Sequence, residues 1–236
     1  MIGQRLRQLR LARGMTLQAL AIKMGGVVTK QALSKYEHDK AQPSPLVLSR
    51  LGSALGVKAA YLCAEPSINV TIVAYSRGPR LSGRDPSRIE ALVQEALEHR
   101  VLLQELGGQH DGVQLPINRL HVDSAEDAEA AAEQVRETWG LGTDPICDLT
   151  ATLEDRLLCV LEASTSEDFE GLSAVARDDE GNIKAAAIVT RSDTAGERQR
   201  LNLAHELGHL ALAIPEHVNE EKAAFRFGGA FLAPRN

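Results

Sequence analysis

Two histidines four residues apart, His205 and His209, constrain this chain more than any other feature. They stand in His205-Glu206-Leu207-Gly208-His209, inside a stretch from Gly196 to Ala213 that reads as one helix. On a helix, residues i and i+4 share a face, so both imidazoles can reach one ion. Glu206 projects about a quarter-turn away, where it can act on a water held by that ion rather than bind the ion. Leu203, Ala204, Leu207, Leu210 and Leu212 supply the apolar face that buries such a helix. This spacing is the H-E-x-x-H of zinc hydrolases.

A zinc ion in such a site needs a third protein ligand and an open position for water. One version of the motif continues to a glycine and a third histidine; those positions here hold Leu212 and Pro215, so it fails. Another takes a carboxylate from a later helix. Glu220 and Glu221 start the final helix, and Glu216 and His217 lie just before it. His38, His99, His110 and His121 fall on expected surface or loops.

The rest of the chain is of different character. Residues 1–66 hold ten Lys and Arg against three acids, a formal charge of +7, while the remaining residues carry −13. A split of that kind in 236 residues points to two domains with different partners, the basic one facing a polyanion. Aromatics are only 3% of the chain, so the core must be Leu, Val, Ile and Ala. The three cysteines (Cys63, Cys147 and Cys159) form no disulfide or zinc-knuckle pattern and read as small buried thiols. No run is apolar enough to span a bilayer, and the N-terminus lacks the apolar core of a secretory signal. A cytoplasmic protein with no membrane partner is expected.

Residues 1–62 read as five short helices. The first covers 2–13 and stops at Gly14; Thr16 caps a second through Met24; Thr29 caps a third over 30–37. Pro43-Ser44-Pro45 opens a fourth that ends at Gly56, and a short fifth covers 58–62. A strand is expected over 68–75, a loop rich in Gly, Pro and Arg over 77–88, a long helix over 87–106 and a polar linker to Asn118. Helices follow over 124–139 and 144–155, then strands over 157–162, 172–177 and 183–190, the last two joined by a turn at Asp178–Asn182. The strand over 183–190 is a candidate edge for binding a substrate chain. The helix over 87–106 is a candidate dimer element.

Two helices joined by a tight Gly-containing turn, the second polar on its exposed side, suit a helix-turn-helix. The pattern Leu6-x-x-Leu9-Arg10-x-x-x-Gly14-x-Thr16-Leu17-x-x-Leu20-Ala21, then Gln31-Ala32-Leu33-Ser34-Lys35-Tyr36-Glu37, then Leu51-Gly52-x-Ala54-Leu55-Gly56-Val57, resembles the Xre/lambda-repressor family of five-helix DNA-binding domains. The turn Gly25-Gly26-Val27-Val28 is longer than usual for it. The resemblance implies that Thr29, Lys30, Gln31, Ser34 and Lys35 face the major groove. Gln31 suits adenine and the lysines suit guanine. Arg10 and Thr16 would hold phosphates. Binding as a homodimer to paired half-sites of a double-stranded operator is implied as well.

From about residue 120 the chain resembles the ImmA/IrrE family of metallopeptidases. The matching stretches are Arg136-x-x-Trp139-Gly140-Leu141-Gly142-x-Asp144-Pro145-Ile146-x-Asp148-Leu149, Gly171-Leu172-Ser173, Arg200-x-x-x-Ala204-His205-Glu206-Leu207-Gly208-His209, and Glu221 through Pro234. The resemblance implies Glu221 as third ligand beside His205 and His209, with Ala224 the small residue that follows it. Where the family often has Asn, this chain has Phe225. It implies one Zn²⁺, with Mn²⁺ able to occupy the same donors, and Glu206 as the catalytic acid–base. Chains with this domain pair commonly continue beyond Leu232-Ala233-Pro234.

The expected architecture is therefore mainly α with an α+β part. A five-helix DNA-binding domain (1–66) is followed by a connecting strand, linker and long helix (67–119). A zincin-like peptidase domain (120–236) with a small antiparallel sheet completes the chain. The expected role is a transcriptional regulator whose peptidase domain cleaves a protein partner or itself. The rival is an antitoxin or a metal- or ligand-sensing repressor, in which that domain binds a cognate toxin or signal without cutting.

Overall fold

The structure, a computed structural model, describes residues 2–77, 85–108, 117, 120–165 and 168–235. Most of the expected Gly/Pro/Arg loop and of the linker to Asn118, with His110, lies outside the described residues. The chain divides into two units, Met1–Ser67 with Ser82–Glu98, and Ile68–Leu81 with His99–Asn236.

In the first unit, side-chain caps start the helices where the sequence places them. Helices α1 (Ile2–Ala12), α2 (Leu17–Lys23), α3 (Lys30–Glu37), α4 (Pro45–Leu55) and α5 (Ala59–Cys63) follow in order. Thr16, Thr29 and Ser44 accept hydrogen bonds from the backbone N–H of Ala19, Ala32 and Val47 at 3.0, 3.2 and 3.4 Å. Gly56, in the left-handed region at φ 71°, closes α4. Leu6, Leu9, Leu20, Leu33, Leu51, Leu55 and Leu62 fill the core. The first part of α6 (Asp85–Leu106) joins this unit through ion pairs: Glu98 with Arg5, and Glu95 with Arg13 at 3.0 Å. Tyr61 also donates to Glu98 at 2.9 Å, and burial together with that carboxylate pushes the phenol up.

The second unit is built on a sheet of β1 (Asn69–Arg77), β3 (Leu158–Ala163), β4 (Phe169–Arg177) and β5 (Ile183–Arg191), in the order β1-β4-β5-β3. Asp178 makes the β4–β5 turn, its Oδ1 accepting from the N–H groups of Glu180 and Asn182 at 3.0 and 2.8 Å. Helix α9 (Gly196–Ala211) packs on β4 and β5. Helix α10 (Glu220–Leu232) packs between α9 and α7 (Asp127–Thr138). A short α8 (Leu149–Glu154), capped by Asp148, precedes β3, and β2 (Leu120–His121) pairs with β6 (Leu212–Ala213). Buried Arg136 locks this end together, donating to the carbonyls of Gly142, Asp144 and Phe231 at 2.8, 2.6 and 2.6 Å.

Four expectations change. The sheet is mixed rather than purely antiparallel, because β3 runs parallel to β5. Strand β5 lies inside the sheet between β4 and β3, so its backbone groups are already paired and it offers no edge to a substrate. The strand expected in the connecting stretch pairs with β4 and so belongs to the second unit. Cys63 and Cys147 are exposed and Cys159 is half-buried, where buried thiols were expected.

Helices α9 and α10 approach closely at two glycines. A Cβ on Gly228 would lie 2.9 Å from the backbone nitrogen of His205, and one on Gly208 3.1 Å from the Cα of Ala224. Gly229, next in the same helix, has open space around it. Gly228→Ala should therefore lower stability by about 1–3 kcal/mol. Gly229→Ala should be neutral or stabilising by about 0.5–1 kcal/mol. Paired denaturant titrations of the two variants check this contrast.

Candidate functional site

The exposed side of α3 carries Lys30, Gln31 and Lys35, with Ser34 half-buried beside them and Thr29 exposed at the cap. Leu33 points into the core, and Ala32 and Tyr36 pack against it. The polar residues expected to meet a nucleic acid therefore share one helix. Thr16 and Thr29 spend their side-chain oxygens as caps, so what they can present to a phosphate is their hydroxyl proton and the free N–H groups of a helix start.

Arg10 corrects an expectation. Instead of facing solvent and phosphate, its guanidinium is buried and held by both oxygens of Glu37, at 2.6 and 2.9 Å, and by the carbonyl of Met15 at 2.7 Å. A two-pronged pair satisfies the planar guanidinium better than a surface position would, and it ties α1 to α3. Arg5 and Arg13 are likewise engaged by Glu98 and Glu95. The exposed cations that remain in residues 2–66 are Arg7, Lys23, Lys30, Lys35, Lys40, Arg50 and Lys58.

In the second unit, α9 brings His205 and His209 onto one face, and the first turn of α10 brings Glu221 to them. Asn219 sets the start of that turn by accepting from the N–H of Lys222 at 2.8 Å. The two Nε2 atoms stand 3.1 Å apart. Glu221 lies 3.3 Å from the first through Oε2 and 3.6 Å from the second through Oε1. Ligand atoms ~2.0–2.1 Å from a tetrahedral zinc stand about 3.3 Å from one another. The two distances to Glu221 run to different oxygens, so they show proximity rather than a formed coordination polyhedron. One ligand atom from each of His205, His209 and Glu221 lies within 4.8 Å of the others, and two imidazoles and a carboxylate are a donor set that suits zinc. Burial pushes His205 below the ordinary imidazole range, and His209 beside it adds to that, so the ring stays neutral, the state a metal ligand requires.

Glu206 points the other way, into the sheet. Its Oε1 accepts from the hydroxyl of Ser76, on β1, at 2.6 Å. Gly171, on β4, makes the room: a Cβ there would lie 2.5 Å from that oxygen. Oε2 makes no hydrogen bond of ordinary geometry among the described residues, although the Ser173 hydroxyl on β4 is near enough to favour the ionised carboxyl. Burial pushes the carboxyl up to about 8. A cleft of about 540 Å³ opens over these groups, lined by Tyr75, Ser76, Glu170, Asn202, His205, Glu206, Glu221 and Phe225 among others. Phe225, the departure from the expected Asn, is exposed there, its ring centroid 6.1 Å from that of His205.

The structure brings His205, His209 and Glu221 together, with Glu206 buried beside them and directed into the sheet, and His217 stays outside the cluster. Ser76 and Gly171 were not foreseen as site residues. Ser76 is 130 positions from Glu206, and no local spacing signals such a pair. Among Glu216, Glu220 and Glu221, only Glu221 joins the cluster. Glu220 meets His209 at its other nitrogen, Nδ1, at 3.0 Å.

A family model described as helix-turn-helix matches residues 6–62. That segment is a DNA-binding domain of the kind found in transcriptional regulators. It coincides with α1 to α5. Nothing among curated proteins or solved structures matches the chain.

The Glu206 carboxyl gives a pH signature in the metal-free protein. Its folded value, about 8, lies above that of an exposed carboxyl, so between the two the folded state holds a proton that the unfolded state releases. Stability then falls as pH rises through that window and levels off above it. Glu206→Gln removes this loss. The variant should gain on the wild type from about pH 5 to pH 8 in chelator-treated thermal melts. A gap that stays constant across that range would contradict the assignment.

Proposed function

We propose that this chain is a transcriptional regulator whose second unit is a zinc-dependent endopeptidase of the ImmA/IrrE kind, cutting a regulatory protein or itself. One observation carries the reading. Two Nε2 atoms and a carboxylate oxygen, on His205, His209 and Glu221, lie within 4.8 Å of one another, beside the buried carboxyl of Glu206. The arrangement leaves an open side toward the cleft, as catalysis needs and a purely structural site does not.

On the DNA side, α3 enters the major groove of an operator. Lys30, Gln31 and Lys35 reach base edges, with Ser34 and Thr29 at the groove wall. Gln31 reads adenine through its amide. A homodimer on paired half-sites is the binding form. Arg10 acts through the fold, by fixing α3 against α1.

On the peptidase side, His205, His209 and Glu221 would hold a zinc ion, which would supply Lewis acidity and acidify a water; Mn²⁺ would suit the same donors. With a cation held by His205, His209 and Glu221, the carboxylate form of Glu206 would be favoured. Ser76 holds Oε1, leaving Oε2 to take a proton from the attacking water and pass it to the leaving amine nitrogen. Substrate lies in the cleft between Tyr75 and Ser76 on one side and Phe225 and Glu221 on the other.

The test is proteolysis of the chain itself, and of proteins encoded beside it, with zinc, with a chelator, and with Glu206→Gln. Cleavage that needs zinc and falls at least 100-fold in the variant is expected, the scale of a lost general base. Cleavage at the wild-type rate by Glu206→Gln would sink the mechanism. Tight zinc binding with no cleavage of any protein offered would shift the reading to a sensor or toxin-binding module.

A further inference from the structure

Glu220 and Glu221 are neighbours in sequence, and both occupy the first turn of α10. Successive helical residues project about 100° apart. The two carboxylates therefore reach the same histidine from different sides. Glu221 meets His209 at Nε2, 3.6 Å away, and Glu220 meets it at Nδ1, 3.0 Å away. Among the described residues His205 has no equivalent of Glu220: its Nδ1 is buried without a hydrogen-bond partner there.

We propose that Glu220 is a positioning residue that holds His209 in the Nδ1-protonated form, presenting its Nε2 lone pair to the ion. The proposal rests on the metal site described above and goes beyond it in assigning a role to a residue outside the ligand set. A neutral imidazole carries one proton, and the nitrogen bearing it cannot bind a metal. Glu220, an acceptor, draws that proton to Nδ1 and fixes the ring plane. His209 is wholly buried at its side chain, so no solvent competes on that face. Its neighbour His205 lies 3.1 Å from Nε2 and could otherwise pull the proton there, closing an imidazole–imidazole hydrogen bond across the metal position. Glu220 opposes that collapse. The two glutamates then have unequal parts despite their like chemistry. Glu221 supplies a ligand atom; Glu220 decides which nitrogen of His209 is available.

Two readouts test this, neither of them activity. In the metal-free protein, long-range ¹H–¹⁵N spectra of the imidazoles report the tautomer directly. His209 should show the Nδ1–H pattern in the wild type and in Glu220→Gln, whose amide oxygen still accepts. It should shift toward the Nε2–H pattern in Glu220→Ala. In zinc competition titrations, Glu220→Ala should weaken binding by about 10–100-fold, with Glu220→Gln recovering most of the loss. The Co²⁺-substituted spectrum should keep its wild-type form in Glu220→Ala and change in Glu221→Ala, where a ligand is gone. Both glutamates are more than half exposed, so the variants should fold. An unchanged His209 tautomer in Glu220→Ala would overturn the proposal. So would a Co²⁺ spectrum altered by Glu220→Ala rather than Glu221→Ala, which would make Glu220 the ligand. A wild-type chain that shows the Nδ1–H tautomer but binds no zinc would instead overturn the metal site itself, and with it this role.

Discussion

The close contact of α9 with α10 is the constraint on which the second unit depends. Two helices bearing ordinary side chains sit 8–10 Å apart. Here Gly208 and Gly228 remove the side chains at the crossing, so each backbone lies against the other helix. That approach puts the first turn of α10 level with His205 and His209, which lets short carboxylate side chains reach both rings. Phe227 and Phe231 on the buried side of α10 then pack into the core of the unit, and Arg226 ties the exposed side to Glu126, just before α7, and to Glu129 on α7. The chemistry of the cluster is thus a consequence of backbone packing more than of any single interaction within it.

The sheet makes the opposite contribution. It buries a carboxyl that would rather be in water. Glu206 is almost wholly enclosed, with Gly171 leaving space for it, the Ser76 hydroxyl holding it and that of Ser173 close by. Desolvation of this kind costs stability in the metal-free chain and is repaid when a cation lies near. The same burial that costs the metal-free protein stability would prepare a proton acceptor for use beside an ion. Ser76 is also why β1 matters: this strand, encoded directly after the helix-turn-helix segment, completes both the sheet and the wall of the cleft.

Much of this was legible in the sequence because it is written in local spacing. The caps at Thr16, Thr29 and Ser44, the stop at Gly56, the turn at Asp178 and the shared face of His205 and His209 each depend on residues within a few positions of one another. What stayed hidden depends on long-range pairing. Arg10 read as a surface cation because its partner, Glu37, sits 27 positions on in another helix. The parallel run of β3, the interior place of β5 and the membership of β1 are set by strand order, which alternation within a strand does not encode. The division of labour between Glu220 and Glu221 turns on about 100° of helical rotation, which the sequence contains only once the helix start at Asn219 is known.

Zinc K-edge X-ray absorption on the zinc-loaded chain tests most directly whether His205, His209 and Glu221 hold the ion. One zinc per chain is expected, with imidazole scattering from two ligands at about 2.0–2.1 Å, a carboxylate oxygen at about 2.0–2.2 Å, and no sulfur. Loss of one imidazole contribution in His205→Ala, with the remainder kept, would complete the assignment. Sulfur in the zinc shell, or a zinc environment unchanged by His205→Ala, would contradict it.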